Sequence, residues 1–145
     1  MMTEKAKRKR IRPKAGDIFQ APLPDGRFAY GKVLRDASVG IYQKIFDSSI
    51  ERPIESPFAF IVGLYDDVLK SGVWPIVGHE PFESVEDEWP PPNFVLDVIS
   101  GEYSIYHEGE MRPSTEEECR GLEEAAVWAA HHVIDRIMGG TKYLP

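Results

Sequence analysis

The chain has 145 residues, 42% hydrophobic and 11% aromatic, values of one globular domain and outside the range of disordered chains. Its one cysteine, Cys119, excludes an intrachain disulfide, and no apolar run approaches the ~18–20 residues of a membrane-spanning helix. The net charge of −7 is unevenly placed: residues 1–14 carry seven cations against Glu4, a net of +6, which leaves −13 for the remainder.

Residues 1–14 read as a flexible basic leader, because like charges at this density oppose a packed fold. An arm that grips phosphate backbones is the alternative reading. The positive charge is not followed by the apolar stretch of a secretory signal, so the expected location is the cytoplasm, which also suits the cysteine usage. Residues 15–145 read as one domain.

Two apolar-rich runs, 17–23 and 27–35, flank Pro24-Asp25-Gly26. Proline presets φ there, aspartate bonds the local backbone and glycine accepts φ > 0, so the pattern predicts a tight antiparallel hairpin. In its second strand Ala29, Gly31 and Val33 share one face, and such small side chains invite close approach by another element. A third strand is predicted over 39–46, followed by a polar loop over 47–57. The run 58–65, FAFIVGLY, is apolar on both faces and predicts the central buried strand. Residues 66–71 predict one helical turn, capped by Asp66 and closed by Gly72.

A strand over 74–82 is interrupted at Pro75 and Gly78, the mark of a bent or edge strand. The loop over 83–93 carries Glu83, Glu86, Asp87, Glu88 and Trp89 before Pro90-Pro91-Pro92. Strands over 94–99 and 103–107 follow, joined through Ser100-Gly101, and Glu108-Gly109 turns the chain toward Met111. The period then changes from two to 3.6. Ser114 with Glu117 has the capping-box pattern, and Leu122, Ala126, Ala129, Val133 and Ile137 draw one apolar helical stripe. Gly121 interrupts that helix and Gly139-Gly140 ends it. Strands followed by a helix, without βαβ alternation, predict an α+β fold: a mainly antiparallel sheet or small half-barrel packed with a C-terminal helical segment.

No catalytic constellation emerges. His131 and Asp135 stand at the i, i+4 spacing that can offer two metal ligands, but nothing in the sequence brings a third from His79 or His107, so no metal and no cofactor is expected. His79-Glu80 and His107-Glu108 are strand neighbours that point to opposite faces and form no dyad. Cys119 follows three glutamates, an anionic setting that suits a structural residue and not a nucleophile. Of the three tryptophans, Trp89 lies in an acidic, proline-bounded loop and is the one expected to be exposed, as a binding anchor would be. The absence of a convergent polar set argues against an enzyme.

Three stretches share order and spacing with a known family: GDIFQAPLPDGRFAYGKVL at 16–34, FIVGLYDDVLKSGVWPIVGH at 60–79, and PPNFVLDVISGEYSIYHEGEMRPSTEEECRGLEEAAVW at 91–128. On these the chain resembles the immunity protein 26 family of bacterial polymorphic toxin systems. The resemblance implies a small β-rich, non-enzymatic protein that binds and neutralises a cognate toxin, and it maps no established functional residue. The acidic body suits a basic toxin, such as a nuclease. Exposed acids and an aromatic on loops are the expected partner-binding residues: Asp66, Asp67, Glu86, Asp87, Glu88 and Trp89. The alternative is a nucleic-acid-associated regulatory module that uses the basic arm, and no membrane partner is expected.

Overall fold

The computed structural model describes residues 11–51 and 53–140. Residues 1–10 of the expected leader lie outside that range. Within it, the Ile11 N–H donates to the Lys70 carbonyl at 3.1 Å, and the Lys14 N–H to the Asp17 carboxylate at 3.0 Å.

Strand β1 (Asp17–Pro22) pairs antiparallel with β2 (Phe28–Val33) in a register that sets Phe19 opposite Gly31. A Cβ on Gly31 would collide with the Phe19 ring and stand 2.7 Å from the Gly40 carbonyl oxygen, so only glycine lets the ring cross the strand. Trp74 stacks on the same ring at 5.5 Å with planes 6° apart. The small-residue face thus receives the close approach that it predicts. The hairpin loop forms as its residues dictate. The Gly26 N–H donates to Leu23 O at 3.0 Å, Gly26 takes φ 87°, and the Asp25 carboxylate accepts the Arg27 N–H at 3.1 Å.

Strands β3 (Ser38–Phe46) and β4 (Phe58–Leu64) extend the sheet beyond β2, each antiparallel to its neighbour. The turn between β2 and β3 puts two non-glycine residues, Asp36 at φ 61° and Ala37 at φ 53°, in the left-handed region. A four-residue helix α1 (Asp67–Lys70) leads to β5 (Ile76–His79), which closes the other edge against β1 with a bulge at Ile18/Phe19. After a 3₁₀ turn (Glu86–Glu88), β6 (Asn93–Leu96), β7 (Tyr103–His107) and β8 (Glu110–Ser114) form an antiparallel meander. Helix α2 (Glu116–Cys119), two-residue strands β9 (Glu123–Glu124) and β10 (Val127–Trp128), and helix α3 (Ala130–Ile137) complete the described chain.

The fold is α+β, with two mixed sheets that do not close into a barrel. The first runs β10-β4-β3-β2-β1-β5 and the second β8-β7-β6-β9. Both faces of the first sheet are covered. One carries Phe19, Ala29, Val39, Ile41, Val62 and Leu64 under Val68, Leu69, Trp74 and the fully buried Val133 of α3. The other carries Ile18, Tyr30 and Tyr42 under Ile50 and Ile54 of the 47–57 loop, which the Tyr30 hydroxyl anchors by accepting the Ile50 N–H at 2.9 Å.

Several elements depart from the sequence pattern. The run 58–65 is apolar throughout, but it lies next to the edge, with β3 on one side and two-residue β10 on the other; Phe60, Val62 and Leu64 join one core and Phe58 the other, while Ala59 is exposed. The expected strand over 94–99 ends at Leu96, and Val98-Ile99 enter a turn. Residues 110–114 form a strand despite Pro113, which an edge position tolerates. The apolar stripe from Leu122 to Ile137 is helical only over Ala130–Ile137. Gly121 at φ 83° interrupts the helix, and Glu123, Glu124, Val127 and Trp128 pair with the two sheets instead. The helix cap also falls one residue late: Thr115 Oγ1 accepts the Glu118 N–H at 3.2 Å, while Ser114 donates to the Glu118 carboxylate at 2.9 Å.

Three substitutions separate backbone strain from packing. Gly26→Ala adds a Cβ with nothing within 4 Å but at positive φ, and is expected to cost ~1 kcal/mol. Ala37→Gly relieves its φ of 53° and is expected to stabilise by a similar ~1 kcal/mol. Gly31→Ala, outside the left-handed region, meets the Phe19 ring and is expected to cost ~1–3 kcal/mol. Urea-unfolding midpoints of the three variants test the signs and the order.

Burial pushes the Tyr42 hydroxyl up to about 12, with the Glu80 carboxylate adding to the effect. The folded chain therefore keeps Tyr42 neutral where the unfolded chain ionises it, near pH ~10. Its contribution is complete below that pH and is lost as pH rises toward 12. Tyr42→Phe is expected to retain more stability than the wild type across this window, read from denaturant melts at stepped alkaline pH.

Candidate partner interface

The β2–β3 turn is where the two sheets meet. The Tyr106 hydroxyl on β7 donates to Asp36 Oδ2 at 2.8 Å, and the Ala37 carbonyl accepts the Leu64 N–H at 2.9 Å. Donating this hydrogen bond to the Asp36 carboxylate holds the Tyr106 hydroxyl above its ordinary pKa. Asp is one of the few side chains that adopt the left-handed region readily, so its placement at the tip has a local reason as well.

Two loops bring Asp66, Glu88 and Trp89 near this turn. Arg35 receives the 3₁₀ turn twice: its N–H donates to Glu88 O at 2.7 Å and its Nε to Glu88 Oε1 at 2.7 Å. The Arg35 guanidinium carbon also stands 5.7 Å from the Trp89 ring centroid, within cation–π reach. On the other side, Arg35, Asp36, Leu64 and Asp66 line a cleft of about 320 Å³. Asp66 and the Glu88–Trp89 pair, distant in the chain, thus lie around one turn. Asp67 faces a neighbouring hollow with Tyr65 and His131.

The side chains differ in how available they are. The Asp66 carboxylate forms no cap, contrary to the sequence expectation. It pairs with Lys70 Nζ at 3.2 Å one helical turn on, because its backbone, with ψ near zero, is not in the extended form of an N-cap. Glu88 is engaged by Arg35, whereas Asp67, Glu86 and Asp87 are exposed and form no ion pair among the described residues. Trp74 and Trp128 are buried and Trp89 is half-buried, its ring drawn in by Arg35.

Sequence spacing gave no sign of one further pair. Asp17, buried on β1, accepts from His79 Nδ1 across the β1–β5 edge at 2.8 Å, 62 positions away. His79 borders a cleft of about 280 Å³ with Ile18, Tyr30, Ile54 and Glu80. No serine, threonine or cysteine hydrogen-bonds His79 among the described residues, so this dyad ties an edge strand to its neighbour and has no nucleophile to activate. No group of three metal-ligating side chains occurs among the described residues. Cys119 is buried with its sulfur 4.0 Å from the Ser104 carbonyl, a packing position.

Comparison with known proteins decides the kinship. The family described as Immunity protein 26 matches residues 14–105. The chain belongs to this family. No curated protein and no solved structure matches it. The family match takes in β1 through most of β7, and with them the β2–β3 turn and both acidic loops. It stops at 105, so residues 106–128, which share in the resemblance stated above, lie beyond the matched region. As a family member the chain is of a generally non-enzymatic class, and no helix among its described residues is long and apolar enough to cross a membrane.

Arg35 is the link between the turn and the acidic loop. Arg35→Ala is expected to red-shift and expose Trp89 emission, with a stability loss of only ~0–1 kcal/mol, as befits an exposed ion pair. Fluorescence with iodide quenching checks this, since the other two tryptophans are buried.

Proposed function

We propose that this family member neutralises a cognate toxin of a bacterial polymorphic toxin system by stoichiometric binding in the cytoplasm, without catalysis. Membership of the immunity protein 26 family carries the reading. The charge distribution adds the partner's chemistry: residues beyond the first fourteen sum to −13, which attracts a basic surface such as that of a nuclease. Asp66, Asp67, Glu86, Asp87, Glu88 and Trp89 are the proposed contacts; Arg35 holds Glu88 and Trp89 beside the β2–β3 turn, and Asp66 lines a cleft with Arg35 and Asp36. Unscreened carboxylates there would steer the encounter, and the half-buried Trp89 would supply apolar contact area.

Coexpression of this chain with the toxin encoded beside it is expected to restore growth, and the pair is expected to copurify as a stoichiometric complex. The combined reversal Asp66→Lys, Asp67→Lys, Glu86→Lys and Asp87→Lys is expected to slow association at least ~10-fold at low salt while leaving the melting curve near that of the wild type. Stopped-flow association at stepped ionic strength reads the effect. Salt-independent association, or an acidic toxin surface, would reject the electrostatic part of the proposal.

A further inference from the structure

The turn between β6 and β7 holds two aliphatic side chains out in solvent. Val98 is 88% exposed and Ile99 94%, the highest values among the exposed large hydrophobic residues described. They are adjacent, unlike the single exposed apolar residues that any protein surface carries.

The turn is tightly built. The Asp97 N–H donates to Glu102 O at 3.0 Å and the Gly101 N–H to Asp97 O at 2.7 Å, with Gly101 at φ 75°. Asp97 Oδ1 accepts the Ile99 N–H at 2.9 Å and the Ser100 N–H at 3.3 Å, and the Ser100 hydroxyl accepts the Glu102 N–H at 3.2 Å. Glycine, asparagine, aspartate, serine and proline are the residues such turns favour, each for a conformational reason. Valine and isoleucine have none, and here they bury almost nothing in return. A local rule broken without compensation inside the fold is expected at functional positions.

We infer that Val98 and Ile99 form a rigid apolar prong that inserts into an apolar pocket on the toxin, an inference that rests on the immunity reading above. The hydrogen-bonded turn sets the two side chains before the encounter, so little conformational freedom is lost on docking. Charge selects the occupant. Asp97 and Glu102 flank the prong on a body of net charge −13, so a second copy of the chain or an anionic membrane surface is repelled, and a basic protein surface is attracted.

The test is the double variant Val98→Ser with Ile99→Ser, assayed against the toxin encoded beside this chain. Because both side chains are almost fully exposed, the melting curve is expected to match the wild type. The Kd for the toxin is expected to rise on the order of 100-fold, mainly through faster dissociation. Asp97→Ala, which keeps the aliphatic pair but loosens the turn, is expected to lose about 10-fold. A double variant that binds as tightly as a tightly binding wild type overturns the prong and leaves the immunity reading intact. Failure of the wild type to bind the toxin overturns both. A wild-type dimer in light scattering that the double variant abolishes, with toxin affinity retained, assigns the prong to a second copy and overturns the toxin as its occupant.

Discussion

The six-stranded sheet is apolar on both faces, and each face must be removed from water. Burial is worth ~25 cal/mol per Å² of apolar surface, so a strand such as β2, with Tyr30 on one side and Ala29 and Val33 on the other, holds its place only if both sides are covered. Two different covers answer the need. Helix α3 and the α1–Trp74 segment close one face. The loop over 47–57, hung on the Tyr30 hydroxyl, closes the other. The Phe19–Gly31 crossing and the Phe19–Trp74 stack lie within the first cover and show how tightly it is fitted.

The segment after Gly121 makes the two sheets one body. Within six residues β9 pairs in parallel with β6 and β10 pairs in parallel with β4. Gly63 admits this approach, since a Cβ there would lie 2.7 Å from the Ala126 carbonyl oxygen. Arg136 on α3 locks the bridge, forking onto Glu123 at 3.1 and 2.7 Å with its guanidinium 4.1 Å from the Phe60 ring centroid. A bidentate pair packed against an aromatic ring is better defined than an open surface ion pair, and here it joins residues that touch opposite sheets. The arrangement also places the β2–β3 turn against β7 through Asp36 and Tyr106.

Elements with strong local chemistry were legible in the residues alone. The Pro24-Asp25-Gly26 hairpin, the bent edge strand around Pro75 and Gly78, and the helix before Gly139-Gly140 each follow from conformational preferences that act within a few positions. The stripe from Leu122 to Ile137 misleads for a physical reason. Apolar residues at helical spacing satisfy a helix face, but the first half of the stripe finds backbone partners on β4 and β6, and sheet pairing wins there. The apolar 58–65 run misleads likewise: its pattern records the burial of Val62 and Leu64, and position within the sheet leaves no separate trace. Glu88 and Trp89 were visible as types, but their contacts with Arg35 were not.

Composition and pattern by themselves determined an α+β fold, a negative charge balance beyond the first fourteen residues and the absence of an intrachain disulfide. Those properties depend on residue type and short-range spacing, which the chain carries openly. Tertiary structure decided the strand order, the parallel bridge between sheets, the Asp17–His79 pair across 62 positions and the release of Val98 and Ile99 from a strand into solvent. Each of these depends on which distant segments compete for the same backbone hydrogen bonds and the same buried surface, and that competition is settled only when the whole chain packs.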